Sequence, residues 1–162
     1  QWNADQSEAR LVLGGVRLAR RYLPGMLERN WGRIVFVSSE SALMTPGDMV
    51  HYGMTKTAQL SISRGLAQLT KGSNVTVNSV LPGPTRSEGI LDFLRSVATD
   101  PNASIEAIEA EFFAKGRPSS LIQRMTNPEE VANMVTYIAS PRSSATNGAA
   151  LRVEGGLVTT IA

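Results

Sequence analysis

The chain has 162 residues, of which 42% are hydrophobic and 19% are charged, and its formal net charge is +2. This length suits one domain with a single core, and the composition is typical of an average globular protein. Cysteine is absent, which excludes disulfides, thiolate nucleophiles and thiolate metal sites. No apolar run approaches the roughly 18 residues of a membrane span, and the polar first ten residues contain no signal-peptide core. We therefore expect a cytoplasmic protein that makes no membrane contact.

The basic residues are scattered along the chain rather than gathered into a stripe. Their densest cluster is Arg17, Arg20 and Arg21, on a predicted helix, where a solvated face is the usual explanation. A nucleic-acid footprint would need a longer basic stripe, often with aromatic residues between the charges. His51 is the only histidine, and a lone histidine without a second histidine or a cysteine is a poor metal site. We predict neither nucleic-acid binding nor a metal.

The first half of the chain predicts two helices with a strand between them. Apolar residues spaced by three or four predict a helix over Leu11–Asn30, with Pro24 weakening its last turns. The β-branched and aromatic run Arg33–Ser38 predicts a strand covered on both faces, as in parallel sheets. A loop rich in small polar residues follows over 39–49, and Val50–Lys71 predicts a second long helix.

The second half continues the alternation of strands and helices. Pro82 is expected to end its first strand sharply, because proline lacks a backbone donor. Asn127 is a predicted N-cap, with Pro128 at the first helical position and Glu130 three residues after the cap. The predicted elements are a strand over Val75–Val80, helical pieces over Ile90–Val97 and Ser104–Lys115, a helix from Asn127 to Ile138 and a strand over Ala149–Val153. This order indicates an α/β domain with a parallel sheet.

Tyr52 and Lys56 are the first candidates for chemistry. Residues four apart share one face of a helix, so the phenol and the ammonium can reach the same small volume. A nearby cation favours the phenolate and draws the pKa of a tyrosine down towards the working range of a general acid or base. His51 and Asp48 suggest a hydrolase with a serine nucleophile, but the chain has no nucleophile elbow of the G-x-S-x-G type.

Ser39 is expected to meet this pair because it lies at the carboxyl end of the first strand, where open α/β sheets bind ligands. Ser38 beside it is interpreted as a structural hydroxyl that closes the strand, and Asn78 as a residue that holds backbone between strands. The chain resembles short-chain dehydrogenases/reductases over about residues 11–158. The residues that carry the resemblance are Gly32-Arg33-Ile34-Val35, Ser39, Tyr52, Lys56, Asn78, Pro82-Gly83, Pro128-Glu129-Glu130-Val131-Ala132, Asn147-Gly148 and Val153-Glu154-Gly155-Gly156.

The resemblance implies a role for each member of the site. Tyr52 would exchange a proton with the substrate oxygen, and Ser39 would hold the substrate carbonyl or hydroxyl. Lys56 would lower the pKa of Tyr52 and bind the nicotinamide ribose of NAD or NADP. The residues that would bind the nicotinamide end of the cofactor are Tyr52, Lys56, Pro82, Gly83, Thr85 and Ser87. The hydride itself belongs to the cofactor.

Two features depart from the family pattern. No G-x-G-x-x-G turn follows a strand, and this turn lies in an N-terminal half that the sequence does not contain. The family also carries an asparagine that supports the active-site lysine, and Leu11 stands at the corresponding position. We therefore predict the C-terminal part of a doubly wound, Rossmann-like parallel sheet with flanking helices, without the N-terminal dinucleotide-binding half. In this interpretation residues 1–162 form a single truncated domain.

The truncation would expose the first strand at an edge of the sheet, and we expect that edge to be covered by another copy, another segment or the displaced N-terminus. Residues 1–10 are predicted to be poorly ordered or a remnant, and residues 87–120 to form a substrate lid in which Phe93, Phe112 and Phe113 supply apolar contacts. The two long helices resemble the pair through which family members dimerise or form tetramers.

Two functions remain open from the sequence. The first is an NAD(P)-dependent oxidoreductase that interconverts a small-molecule alcohol and a carbonyl. The second is a cofactor-free homologue that acts as an interaction or structural protein. Both share every motif above, so the sequence does not separate them.

Overall fold

The computed structural model describes residues 6–87 and 89–161. It contains three strands, β1 (Gly32–Val37), β2 (Val75–Pro82) and β3 (Ala150–Val153). The helices are α1 (Gln6–Glu28), α2 (Val50–Gln68), α3 (Ile90–Val97), α4 (Ile105–Glu111) and α5 (Pro128–Ala139). Shorter helical turns cover Glu40–Ala42, Phe112–Gly116 and Pro141–Ser143. None of the described helices is both long and apolar enough to cross a bilayer.

The three strands form one parallel sheet in the order β1-β2-β3. Gly32 aligns with Val75 at one end of the first pair, and Pro82 aligns with Val153 at the end of the second. The central strand β2 is buried from Val75 to Leu81, as expected of a strand with neighbours on both edges and helices on its faces. The predicted parallel α/β sheet is therefore confirmed.

The boundaries of α1 differ from the prediction at both ends. The helix begins at Gln6 and so includes half of the segment 1–10 that was predicted to be poorly ordered or a remnant; residues 1–5 lie outside the described residues. It ends at Glu28 and passes through Pro24, because a proline interrupts only its own donor position when its neighbours keep their hydrogen bonds. The helix α2 begins at Val50 as predicted, and it ends at Gln68 rather than at Lys71.

β2 ends at Pro82, where the break was predicted, but it includes this proline and so runs two residues beyond the predicted end at Val80. The amide of Ser79 donates to Ala149 O and that of Gly83 to Val153 O, so every second amide of this strand faces β3. The nitrogen of Pro82 therefore faces the other side, where β1 has already ended at Val37. No ladder hydrogen bond is lost, which is the condition under which a strand accepts proline.

Two clusters of apolar side chains hold the fold together. Phe36 from β1, Val77 from β2 and Ala67 from α2 pack between the sheet and the helix layer. The segment between β2 and α5 has its own cluster, whose buried members are Leu94, Ile108, Phe113 and Met125. Phe113 is 1% exposed, so its side chain fills the interior of this segment; any apolar contact with substrate would fall to Phe93 and Phe112.

The helix α5 begins as predicted, at Pro128 after Asn127. The amide of Asn127 donates to the Glu130 carboxylate at 2.8 Å, which satisfies one of the donors left open at a helix start. Arg124 pairs with the same carboxylate at 2.8 Å. This network fixes the helix that leads back to β3.

Candidate active site

The ends of β1 and β2 open into one cavity of about 300 Å³. Ser39 reaches it because the amide of Ser38 makes the last bond of the β1–β2 ladder, to Val80 O at 2.8 Å, after which the chain turns away. Tyr52 reaches it from the first turn of α2. The cavity is lined by Ser39, Glu40, Ser41, Met49, Tyr52, Gly83, Pro84, Thr85, Ser87, Ile90, Phe93, Phe112 and Arg117. Ser39 and Tyr52, predicted from the sequence, thus share one small volume.

Ser39 is buried, and two hydrogen bonds hold its hydroxyl. Its Oγ accepts from the amide of Ser41 at 3.2 Å and donates to the Glu40 carboxylate. The hydroxyl of Tyr52 also interacts with this side chain. These contacts fix Ser39 at the start of the helical turn Glu40–Ala42, where it serves as the N-cap.

The pKa of Tyr52 is raised above its ordinary value. Burial is the largest cause because it penalises the phenolate, and the negative charge of Glu40 adds to it. The hydrogen bond with Ser39 acts in the opposite direction. The sequence predicted a lowered pKa from Lys56, whereas burial and the neighbouring carboxylate raise the pKa in the folded chain.

Lys56 lies beside the cavity rather than in its lining. Its Nζ is 5.4 Å from the centroid of the Tyr52 ring and donates to Val37 O at 3.2 Å. Burial lowers the pKa of Lys56, and the charge of Glu40 partly opposes this shift. The helix that carries both residues is fastened to the sheet by Ser38, whose hydroxyl donates to Lys56 O at 2.9 Å. This contact agrees with the structural role expected of Ser38.

Four of the predicted cofactor-binding residues lie at the end of β2 and in the loop after it, and three of these four line the cavity. Gly83, Thr85 and Ser87 line it, whereas Pro82 stays within the strand and Pro84 takes its place. The hydroxyl of Thr85 is 2.9 Å from Gly83 O, which stiffens the loop. A Cβ at Gly83 would lie 2.8 Å from the backbone of Glu154, so a glycine is required for the close approach of the two segments.

Asn78 joins β2 to the segment before β3 from within the sheet. Its side chain donates to Thr146 O at 2.8 Å and accepts from the amide of Ala149 at 3.0 Å. It therefore ties β2 to the turn before β3, as the sequence predicted, and it is absent from the cavity lining.

The backbone of Leu11 contacts α2. The amide group of Gln59 donates to Leu11 O at 3.2 Å, and this glutamine lies three residues after Lys56. That Leu11 supports the lysine less well than the asparagine of the family stays a prediction.

Sequence reasoning missed Glu40 and Arg117, which both line the cavity. Glu40 follows Ser39 directly, so adjacency was the available signal, but its side-chain direction depends on the helical turn that the loop forms. Arg117 is brought in by the π-helical turn Phe112–Gly116, which no periodicity predicts. Phe93 and Phe112 do line the cavity, and their rings meet edge to face at 6.2 Å.

The arrangement fits the nicotinamide end of a dinucleotide cofactor. Lys56 has three ammonium donors, and among the described residues only Val37 O accepts one of them. Two donors on a buried cation suit the hydroxyls of a ribose. Within residues 6–87 and 89–161 there is no group of three histidine, aspartate or glutamate side chains that could hold a metal.

The sequence and the fold both match known proteins. A family profile described as Enoyl-(Acyl carrier protein) reductase matches residues 9–158. The uncharacterized oxidoreductase YvaG of Bacillus subtilis (strain 168) is 51% identical over 150 residues, which are 93% of this chain and 57% of that protein. Dehydrogenase/reductase SDR family member 4 of Bos taurus is 34% identical over 139 residues, 86% of this chain and 45% of that protein.

A solved structure shares the arrangement of the elements. L-Sorbose reductase from Gluconobacter frateurii, complexed with NADPH and L-sorbose, superposes with a TM-score of 0.86 at 26% identity, over 98% of this chain and 61% of that one. The chain thus spans about half the length of the relatives that it matches. Because the family profile covers nearly the whole chain and the sheet, helices and strand-end cavity agree with it, this chain belongs to the short-chain dehydrogenase/reductase family.

Proposed function

We propose that this chain carries the catalytic part of an NAD(P)-dependent oxidoreductase that interconverts an alcohol and a carbonyl. The observation that carries the proposal is the shared cavity into which Ser39 and Tyr52 both project, with Lys56 against the tyrosine ring. Membership of an oxidoreductase family and the similarity to a reductase solved with NADPH support it.

In this proposal Tyr52 moves a proton to or from the substrate oxygen. Burial of the phenol favours its protonated form, which is the form that donates to a carbonyl during reduction. Ser39 holds the substrate oxygen beside Tyr52. The walls contributed by Phe93 and Phe112 exclude water from the reacting atoms.

NAD or NADP would supply or accept the hydride when bound. Lys56 would hold the nicotinamide ribose with its two remaining donors, next to Tyr52. The loop Pro82, Gly83, Thr85 and Ser87 would hold the carboxamide end. We propose residues 87–120 as the substrate lid, because α3 and the turn Phe112–Gly116 contribute to one wall of the cavity.

The proposed substrate is a small molecule, as the cavity of about 300 Å³ suggests. We also propose a homo-oligomer assembled through α1 and α2. Both helices expose large apolar side chains, namely Leu11, Leu13, Leu18, Tyr22, Val50 and Met54. Surfaces of this kind mark interfaces more often than solvated faces.

The experiment titrates the purified chain with NADH and with NADPH, following nicotinamide fluorescence, and then measures turnover of candidate alcohols and carbonyls. Saturable binding supports the oxidoreductase. No binding at millimolar cofactor supports the alternative, a cofactor-free homologue that acts as an interaction or structural protein.

The matched variants are Tyr52→Phe and Tyr137→Phe. We expect Tyr52→Phe to lower turnover by about 10³-fold with the fold retained, because it removes the proton donor and little volume. Tyr137 is 47% exposed on α5, away from the cavity and from the proposed interface, so Tyr137→Phe should leave turnover unchanged. Full activity of Tyr52→Phe would remove this residue from the proposed role.

A further inference from the structure

Glu40 is a buried carboxylate beside the proposed catalytic hydroxyls. The residue is 7% exposed. It lines the cavity that Ser39 and Tyr52 share, and also a second cavity of about 220 Å³. Its Oε2 accepts from Ser39 Oγ, and its Oε1 is 3.5 Å from Ser41 Oγ. Within the described part of the chain no basic side chain forms an ion pair with it. Its charge acts on Lys56 without a direct ion pair, and buried carboxylates of this kind concentrate at functional sites.

The hydrogen bond to Glu40 decides what Ser39 can offer. A serine hydroxyl has one proton and two acceptor lone pairs. The proton is given to Glu40, and one lone pair accepts from the amide of Ser41. Towards Tyr52 and the cavity, Ser39 therefore presents an acceptor and not a donor.

We propose that Glu40 is a positioning residue of this site: its carboxylate fixes the direction of the Ser39 hydroxyl and places a negative charge beside the Tyr52 phenol. The charge of Glu40 repels the phenolate and so raises the pKa of Tyr52, whereas the hydrogen bond with Ser39 lowers it. Because the Ser39 proton is given to Glu40, the carboxylate also limits how far Ser39 can donate to a phenolate. The turnover measurement below rests on the proposed function, whereas the spectroscopic titration of Tyr52 does not depend on it.

The charges around Tyr52 come from three elements. Glu40 stands on the turn after β1, Lys56 follows on α2, and Arg117 lies after the turn Phe112–Gly116. The neighbouring strand β2 contributes no titratable side chain. Replacing Glu40 while keeping Lys56 and Arg117 therefore isolates the effect of the carboxylate.

The test titrates the Tyr52 phenol in the purified chain by its ultraviolet difference spectrum, with Tyr52→Phe identifying its signal among the three tyrosines. We expect Glu40→Gln to lower the pKa of Tyr52 by about 1 pH unit, because the substitution keeps the shape and removes the charge. Asp48→Asn is the matched control. Asp48 lies in the loop before α2, is exposed and does not line the cavity of Tyr52. Its replacement should therefore leave the pKa of Tyr52 unchanged.

An unchanged Tyr52 titration in Glu40→Gln overturns the proposal. Should that variant fail to fold, Glu40→Asp withdraws the carboxylate from Ser39 by one methylene, and a smaller shift in the same direction is expected; no shift there overturns it equally. Where turnover is measurable, the pH dependence of alcohol oxidation should move to lower pH with Glu40→Gln. A chain without turnover contradicts the proposed function alone, since the spectroscopic titration still reports on Glu40.

Discussion

Lys56 has a proposed catalytic role, but its position in the fold is unfavourable for a charged group. Its ammonium is largely removed from water, lies 5.4 Å from the centre of the Tyr52 ring and donates to one backbone oxygen. Burial disfavours its charged form and lowers its pKa. Functional groups often carry such a penalty, which the rest of the fold offsets.

We expect Lys56→Met to lower turnover by about 10²-fold without lowering the urea midpoint of unfolding at neutral pH. Methionine fills the same space with no charge to desolvate. In the parent chain the free energy of unfolding should rise with pH between the lowered pKa of Lys56 and the ordinary lysine value, because the unfolded chain binds the proton more tightly there. The variant lacks this rise. A midpoint well below that of the parent would show that the ammonium stabilises the fold.

The tyrosine and lysine could be predicted because four-residue spacing places side chains on one helical face. Ser39 could be predicted because a hydrophobic strand ends just before it. Glu40 and Arg117 could not, because their directions depend on a short turn and on a π-helical turn that only the folded chain specifies.

Among the elements, β2 depends on Asn78 as much as on apolar packing. The residue is 1% exposed, and its amide bridges the strand to Thr146 and Ala149. We expect Asn78→Ala to destabilise the chain by about 2 kcal/mol, since it opens a gap in the buried strand and leaves a half-buried carbonyl and a half-buried amide without their partner. Urea unfolding measures this loss. The control Asn102→Ala changes an exposed asparagine in the turn before α4, and an equal loss there would contradict the argument.

The proposed lid is held to the body of the fold by Glu109 of α4. Its buried carboxylate accepts from the amide of Met125 at 3.0 Å and pairs with Arg86 at 2.6 Å. Glu109→Ala should make residues 87–120 the first segment cut in limited proteolysis, because the Met125 amide loses its acceptor inside the lid core.

The matched control for Glu109 lies on the same helix. Glu106 is exposed in the first turn of α4, and a surface carboxylate of this kind contributes little to stability. Glu106→Ala should keep the proteolysis pattern of the parent. Equal sensitivity of both variants would mean that the helix responds to any loss of charge and not to the Glu109 anchor.

For the helices and strands, the sequence predicted the type of each element more accurately than its first and last residues. Runs of β-branched residues located the strands, and the pattern of Asn127, Pro128 and Glu130 located the start of α5. The end of β2 was placed two residues too early, because whether a strand can include a proline depends on which neighbour the proline nitrogen faces. Local sequence does not contain that information.

For the molecule as a whole, the open side of β1 is the feature with the widest consequence. Among the described residues, β1 pairs with β2 alone. The amide of Ser38 points to β2, so by the alternation of a parallel strand the amides of Val35 and Val37 point to the open side. Val37 is 52% exposed at this edge. Unpaired backbone next to apolar side chains is a template for association with another chain.

We expect the 162-residue chain to self-associate with rising concentration, as measured by sedimentation velocity. Val35→Pro removes one outward amide and leaves the β1–β2 ladder intact, which an edge strand tolerates, so it should weaken the association while the circular dichroism spectrum is kept. Phe36→Pro is the contrasting variant. It removes an amide that bonds to β2 and should unfold the sheet instead. A parent chain that stays monomeric at every concentration would mean that the edge is protected within the chain itself, and an association that Val35→Pro leaves unchanged would assign it to the exposed faces of α1 and α2.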